Sequence, residues 1–331
     1  MERNWHLANI DQRRKATGVN GRLPELMSAG NDRDWIVKLL APPIFPSSRS
    51  VPAYYLTPTI ERKHELGALS VLPPEIIAHI FSHLKSADDA ICLAVTHRLL
   101  GHDGFRRVWR LRRRGFSHLG SWAGDRIITI EDGASDVPNN ILTVEELKEV
   151  RKVSKGRRGL YHYVGKHYGW ANAQRECTCI ACVENPALAR VLLGTGDHLR
   201  VRLLLSDTTP QYDMRGNWAL CNLDTKEYAR AKAIAKARFL YHADYQRGSS
   251  VNGPFVSGPE TVLYLGSLAL ILTTWSKRGG IRGPWAGNRL VICDVDTLKS
   301  QKWEDMSDWG VIWGREYVVE HRDMYPKFSM Y

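Results

Sequence analysis

The stretch LPPEIIAHIFSHL, residues 72–84, determines how the first half of the sequence is interpreted. Two prolines stand where a first helical turn tolerates them, and Glu75 follows at the positive end of the helix dipole, so the stretch predicts an α-helix. At about 100° per residue its apolar side chains cover roughly 180° of the helix surface, whereas contact with one core requires a stripe only a little wider than about 100°. The helix therefore has apolar surface to spare. Its apolar residues are Leu72, Ile76, Ile77, Ile80, Phe81 and Leu84.

Two more short helices are predicted directly after this one. A break at residues 85–87 precedes a second apolar helix with Asp88 as its N-cap, and a third helix is centred on residues 105–113. Three short helices bury too little apolar surface to be robust alone, so the spare surface indicates an interface. Periodicity does not distinguish a partner from the rest of the same chain, and both remain open at this point.

Residues 69–109, LSVLPPEIIAHIFSHLKSADDAICLAVTHRLLGHDGFRRVW, resemble an F-box. The resemblance rests on the order of a leucine, the Pro-Pro-Glu-Ile-Ile run, an Ile-Phe pair, a further leucine, an aspartate after a short loop and an apolar second helix. The chain departs from the family at residues 95–98, where Val-Thr-His-Arg replaces the Val-Cys-Arg or Val-Cys-Lys of many F-boxes. The resemblance implies binding to the Skp-type adaptor of SCF (Skp–cullin–F-box) ubiquitin ligases. It assigns this contact to Leu72, Pro73, Pro74, Glu75, Ile76, Ile77, Ile80, Phe81, Leu84, Asp88, Leu93 and Val95.

The expected fold class is α+β, in three consecutive segments. Residues 1–65 are expected to be a weakly ordered extension, because five prolines at residues 41–59 block helix and central strand. Residues 35–37 and 54–56 are apolar enough to dock on a neighbouring surface. Residues 66–115 form the three-helix F-box-like module. Residues 116–331 form a larger, β-rich α+β domain that would recruit a substrate.

A short motif occurs twice in the C-terminal segment. GSWAGDRII, residues 120–128, and GPWAGNRLV, residues 283–291, are identical at five of nine positions. Each copy predicts a tryptophan-anchored turn that enters a β-strand, with Trp122 and Trp285 in equivalent, structural places. NWALCNLDT, residues 217–225, is a weaker candidate for a third copy. These segments resemble the C-terminal region of a group of F-box proteins from mushroom-type fungi.

Helices are predicted between these strands. Thr143 and Glu146 form a capping box, and Asp224 with Glu227 opens a predicted amphipathic helix over residues 225–246. The run TVLYLGSLALILTTW, residues 261–275, is shorter than the ~20 residues that span a bilayer. It predicts a buried strand pair or a core helix broken at residues 266–267.

The net charge of +11 leaves two interpretations open. A cluster of arginines near residue 110 predicts either a phosphate-binding patch or a solvated helix end, and no nucleic-acid motif accompanies it. A basic protein that binds nucleic acid through this cluster is therefore the alternative function. The arginines are Arg106, Arg107, Arg110, Arg112, Arg113 and Arg114, and a second basic cluster is Arg151, Lys152, Lys155, Arg157 and Arg158.

The strongest metal candidate is the trio Cys177, Cys179 and Cys182. Zinc requires four ligands, commonly two short-spaced pairs, and the trio supplies one pair, so no zinc and no other cofactor is expected. The fourth ligand would have to come from His162, His167, His198 or Cys221.

The sequence favours a binding protein over an enzyme. It has no phosphate-binding glycine loop, no Gly-x-Ser-x-Gly elbow and no His-Glu-x-x-His motif. Without an apolar export signal the six cysteines are expected to be reduced, in the cytosol or the nucleus. The leading hypothesis is a non-catalytic, substrate-recruiting subunit that binds the Skp-type adaptor and its cullin complex, and an unknown protein substrate, without a membrane.

Overall fold

The structure is a computed structural model in which the chain divides into two compact units. The sheet unit comprises Met1–Pro42, Ser121–Ala171 and Tyr212–Tyr331, and the helical unit comprises Pro43–Gly120 and Asn172–Gln211. The chain thus leaves the sheet unit after Pro42 and returns to it at Ser121, instead of forming three consecutive segments as predicted. The described residues are 4–16, 34–44, 63–115, 121–134, 137–138, 141–154, 159–171, 181–191, 196–206, 211–236, 250–257, 263–276, 282–298 and 302–320.

Helices and strands confirm a mixed α+β composition. The helices are α1 (Trp35–Leu40), α2 (Pro74–His83), α3 (Ala87–Val95), α4 (Gly101–Gly115), α5 (Val144–Ser154), α6 (Leu160–His167), α7 (Ala181–Ala189), α8 (Asp197–Ser206), α9 (Ala231–Lys236), α10 (Leu265–Leu272) and α11 (Ser307–Glu320). Short 3₁₀ helices cover Lys63–Val71, Arg98–Leu100 and Val295–Leu298. None of the helices seen in these ranges has both the length and the apolar character to cross a membrane.

The strands of the sheet unit form one mixed sheet. They are β1 (Trp5–Asn9), β2 (Arg14–Ala16), β3 (Asp125–Glu131), β4 (Gly169–Ala171), β5 (Trp218–Asn222), β6 (Glu227–Arg230), β9 (Thr274–Trp275), β10 (Arg289–Asp294) and β11 (Glu304–Asp305), and β7 (Ser250–Asn252) pairs separately with β8 (Phe255–Ser257). The order is β11-β6-β5-β10-β3-β1-β2-β4, with β9 beside β3. The central pair β3–β10 is antiparallel, and the outermost strands β4 and β11 run parallel to β2 and β6.

The N-terminal region corrects the prediction of a weakly ordered extension. All five residues of β1 are buried, and β1 pairs with β3 along its whole length. Helix α1 buries Trp35, Ile36 and Val37, so these residues belong to the core and do not dock from a linker. The five prolines follow this helix, and three of them lie within residues 45–62, which are outside the described ranges.

Two glycine turns join the halves of the sheet at its centre. Gly124 has φ of 88° and Gly287 has φ of 75°, a left-handed conformation that favours glycine. The Gly124 N–H donates to the carbonyl of Leu290 at 2.7 Å, and the Gly287 N–H donates to the carbonyl of Ile127 at 2.7 Å. Each turn therefore binds the strand that follows the other turn.

The tryptophans of these turns are core residues. Trp122 is 0% exposed and Trp285 is 1% exposed. The backbone N–H of Trp122 donates to the Leu39 carbonyl at 2.7 Å, and the backbone N–H of Trp285 donates to the Leu272 carbonyl at 2.9 Å. Each tryptophan is therefore bonded to the last turn of a buried helix, α1 or α10. The predicted burial of both tryptophans is confirmed.

The hairpin β1–β2 matches the hairpin β5–β6 in sequence pattern and in turn conformation, a similarity that was not predicted. The turns contain Arg13 with φ of 51° and Lys226 with φ of 60°, the two positive-φ residues other than glycine in the described ranges. Residues 5–11 and residues 218–224 share one sequence pattern. It is Trp-x-Leu-x-Asn, followed by a branched aliphatic residue and then by Asp. The stretch at residues 217–225 therefore forms a strand and turn and is not a third Trp-Ala-Gly turn.

Each hairpin turn holds one arginine of the central strands. The Asp11 carboxylate accepts hydrogen bonds from the backbone N–H and the side-chain Nε–H of Arg126, both at 2.7 Å. The Asp224 carboxylate accepts the same two bonds from Arg289, both at 2.8 Å. Arg126 and Arg289 are themselves directly opposite partners in the β3–β10 pair. Two equivalent Asp–Arg contacts thus flank the middle of the sheet.

Three further local predictions have different outcomes. The capping box is confirmed, since the Glu146 carboxylate accepts the Thr143 N–H at 2.7 Å and the Thr143 hydroxyl accepts the Glu146 N–H at 3.2 Å. The helix predicted from residue 225 is wrong at its start, because Glu227–Arg230 is strand β6 and α9 begins only at Ala231. The predicted break at residues 266–267 is also wrong, because α10 runs unbroken through them and Ser267 caps its start.

We expect Trp122→Ala and Trp285→Ala each to lower the free energy of unfolding by ~3–5 kcal/mol, the usual cost of deleting a buried aromatic side chain. Urea unfolding and limited proteolysis measure this effect. Trp170→Ala is the matched control, because Trp170 is 44% exposed and should change stability by less than about 1 kcal/mol. Stable Trp122 and Trp285 variants that had lost partner binding would contradict the structural role of these residues.

We expect the sheet unit to lose stability in mild acid through His6, which is 8% exposed and stacks on Tyr161. Burial, with a smaller effect of Lys15, lowers the pKa of His6 from 6.5 to about 4. Between these values the unfolded chain binds the additional proton, so the free energy of unfolding falls as the pH drops from 6.5 to 4, by on the order of 3 kcal/mol. Urea unfolding across this range should show a shallower pH dependence for His6→Gln, whereas the exposed-site control His167→Gln should follow the native protein.

Candidate partner-binding helix

Helix α2 begins and ends where the sequence predicts. Pro73 is the extended N-cap, Pro74 and Glu75 lie in the first turn, and the helix ends before Leu84, which is again extended. The guanidinium of Arg107, from α4, donates from its Nε to the Leu84 carbonyl at 2.8 Å. This bond satisfies a carbonyl at the negative end of α2 and fixes the helix against α4.

The apolar surface of α2 is divided between two environments. Phe81 is 2% exposed and belongs to the core of the helical unit, and Ile77 and Leu84 pack against that core. Ile76 is 44% exposed and Ile80 is half-buried. One side of the apolar arc thus serves the protein's own core, and the other side faces outward.

The core under α2 contains more than the three predicted helices. Helices α7 and α8 contribute Ala187, Val201, Leu204 and Leu205 to the same buried cluster as α2, α3 and α4. Both helices come from residues 181–206, far beyond the predicted boundary at residue 115. The helical unit therefore needs two separate segments of the chain to complete its core.

An ion pair also connects these segments. Arg190, directly after α7, donates to Asp88 at 3.2 Å and to Asp89 at 2.7 Å. The prediction of Asp88 as an N-cap is corrected, because α3 begins at Ala87 and Ser86 occupies the cap position. Asp88 instead lies in the first turn, where its charge favours the helix dipole and where Arg190 partly neutralises it.

The structure places the predicted adaptor-binding residues in three environments. Pro73, Pro74, Glu75 and Ile76 are exposed; Leu72, Ile77, Ile80, Leu84, Asp88 and Leu93 are half-buried; Phe81 and Val95 are buried. In this conformation the side chains of Phe81 and Val95 are not accessible to a partner. The exposed set continues towards the N-terminus at Val71, which is 81% exposed.

The arginine cluster on α4 is divided in a similar way. Arg107 binds the end of α2, and Arg112 is 4% exposed. Arg106 and Arg110 are exposed, one turn apart. The side chains of Arg113 and Arg114 lie outside the described residues, as do Lys155, Arg157 and Arg158 of the second cluster, whose Arg151 and Lys152 are exposed on α5. Of the four α4 arginines whose side chains are described, Arg106 and Arg110 are the exposed ones.

The candidate zinc ligands are only partly described. Cys177 and Cys179 lie outside the described residues, and Cys182 lies in α7 without a described side chain. Cys221 lies in β5, where its thiol is 3.7 Å from the thiol of Cys293. His162 and His167 lie on α6, and His198 lies on α8. Where side chains are described, no three histidine, cysteine or acidic residues converge on one point.

Two features of the helical unit were not predicted from the sequence. The first is the contribution of α7 and α8 to the core of the helical unit. Its signal in the sequence was the helical spacing of the apolar residues at positions 201, 204 and 205, together with Ala187 in the preceding helix. The outward face of α2 also carries His79 and His83, whose separation of one helical turn was visible in the sequence.

We expect Gly104→Ala to destabilise the helical unit, because α3 and α4 cross at this residue. A Cβ at Gly104 would lie 2.2 Å from the Cβ of Ala94, and overpacking of this kind typically costs ~1–3 kcal/mol. The matched control is Gly196→Ala in the same unit, where a Cβ has no atom within 4 Å. Thermal unfolding should separate the two variants, and equal stabilities would show that the helices do not cross here.

No family model matches the chain, and no curated protein or solved structure matches it either.

Proposed function

We propose that the protein is a non-catalytic, substrate-recruiting subunit of an SCF-type ubiquitin ligase, and that the outward face of α2 binds the Skp-type adaptor. The observation that carries the proposal is the division of the α2 apolar arc: Phe81 holds the protein's own core while Ile76 remains 44% exposed. The F-box resemblance of residues 69–109 supplies the identity of the partner. Ubiquitin transfer would be the work of other subunits, in the cytoplasm or the nucleus.

The exposed residues suit a docking helix. Val71, 81% exposed, precedes α2, and Ile76 and Ile80 stand one turn apart on its outward face. A partner with an apolar groove would remove these side chains from water, which is the main favourable term in most associations. The core contacts of Phe81 and the Arg107–Leu84 bond hold the helix in place before binding, so little ordering entropy is lost.

The sheet unit is proposed as the substrate-recruiting domain, built from two copies of one hairpin–turn–strand unit. In support, Trp5 stands opposite Glu131 and Trp218 opposite Asp294, with the same spacing to the paired Asp–Arg contacts. The shared bonds of the two glycine turns and the parallel outer strands agree with this proposal. The buried tryptophans would then be structural anchors, and the substrate would contact other residues.

We expect Ile76→Ala to weaken capture of the Skp-type adaptor by the full-length protein by about tenfold or more, because interface anchors of this size contribute on the order of 2 kcal/mol. Titration calorimetry or pull-down with purified adaptor measures this. Ala78→Ser is the matched control, since it changes an exposed residue on a different side of the same helix. Phe81→Ala should act differently, by lowering the stability of the helical unit itself.

Two results would overturn the proposal. Equal adaptor capture by the native protein and by Ile76→Ala would remove the outward face of α2 from the interface. Strong binding of DNA or RNA that falls with salt, and that is lost on replacing Arg106 and Arg110, with no capture of the adaptor, would favour the nucleic-acid function instead.

A further inference from the structure

Two histidines stand side by side on the outward face of α2. His79 and His83 are separated by four residues, and both are exposed. Their Nε2 atoms are 3.1 Å apart, and the ring centroids are 4.5 Å apart with the planes at 90°. The two Nε2 atoms therefore lie next to each other on the exposed side of the helix.

The backbone that carries the pair is held in place. Phe81 lies between the two histidines in sequence and is anchored in the core of the helical unit. The Ser82 hydroxyl donates to the His79 carbonyl at 2.7 Å, and Arg107 holds the end of the helix at Leu84. The positions of both Cα atoms are thus fixed before any ligand arrives, which favours chelation.

We propose that His79 and His83 form a bidentate imidazole site for a divalent transition-metal ion of the Zn²⁺, Ni²⁺ or Cu²⁺ class. Metal–imidazole bonds are ~2.0–2.1 Å long, so two such bonds that span the 3.1 Å between the Nε2 atoms enclose an angle of about 100°. This angle lies between the ~90° of octahedral or square geometry and the ~109° of a tetrahedron. Water, or a ligand from another molecule, completes the coordination shell.

Metal binding to the neutral pair changes which nitrogen carries the proton, but no proton has to leave either ring. Without metal, one ring donates its Nε2–H to the Nε2 lone pair of the other. Both Nε2 atoms must present lone pairs to a metal ion, so the donor ring moves its proton to Nδ1.

Metal binding can be tested separately from the proposed adaptor contact, although both use the same face of α2. The histidines share their face of α2 with Ile76 and Ile80, each one turn away from a histidine. A bound ion would add positive charge beside these apolar residues and offer open coordination positions to whatever approaches α2. Metal binding itself requires only the two imidazoles and the intact helix.

Calorimetric titration of the full-length protein with NiCl₂ tests the site. The variants are His79→Gln, His83→Gln and the double replacement, with His167→Gln as the control at an exposed histidine on α6. We expect each single replacement to lower the affinity of one Ni²⁺ site by about tenfold or more, and the double replacement to add little, because loss of either ring ends chelation. The control should bind as the native protein does.

Paramagnetic Ni²⁺ supplies the second measurement, since it should broaden the ring resonances of His79 and His83 together in NMR spectra. Circular dichroism checks that each variant keeps its helices. Ni²⁺ binding that is the same in the native protein and the double variant would overturn the proposal. Independent, additive losses from the two single replacements would also overturn it, because they would indicate separate monodentate contacts.

Discussion

The sheet unit depends on the antiparallel contact between β3 and β10, where Arg126 stands opposite Arg289. This contact joins the two halves of the sheet, and few residues form it, so its geometry has to be fixed from both sides. The two glycine turns provide this by donating reciprocal backbone bonds, which only a left-handed residue at each turn permits without strain. The arginine side chains turn away to Asp11 and Asp224, which relieves the repulsion of two opposed cations.

Helix α2 has two apolar sides with different surroundings. Its inward side must be apolar because Phe81 fills the core of a small helical unit, and such a unit has little stability to lose. Its outward side does not need apolar residues for folding, yet Ile76 remains exposed there. Solvation of apolar surface is unfavourable, so a face of this kind is expected where binding uses it.

Sequence reasoning succeeded where local chemistry decides the structure. The prolines and Glu75 located the start of α2, and Thr143 with Glu146 located the start of α5. It failed where pairing partners decide. Residues 227–230 lie in a run of helix formers, but they pair with β5, and this tertiary contact overrides their weak intrinsic preference. The partners of the N-terminal strands and of α7 and α8 are residues distant in the sequence, so the local patterns at residues 5–11 and 201–205 were not sufficient to assign them.

The order of segments along the chain has its own consequence. The helical unit is encoded by Pro43–Gly120 and Asn172–Gln211, so the chain completes the strands β3 and β4 of the sheet unit between them. The ion pair of Arg190 with Asp88 and Asp89 and the buried residues of α7 and α8 are therefore long-range contacts that form only after the intervening segment is made. Contacts of such sequence separation carry a larger loop-closure entropy than those within a contiguous three-helix module. The stability of the face that α2 presents is consequently set by the whole helical unit, and residues 69–109 specify only the part of it that is local.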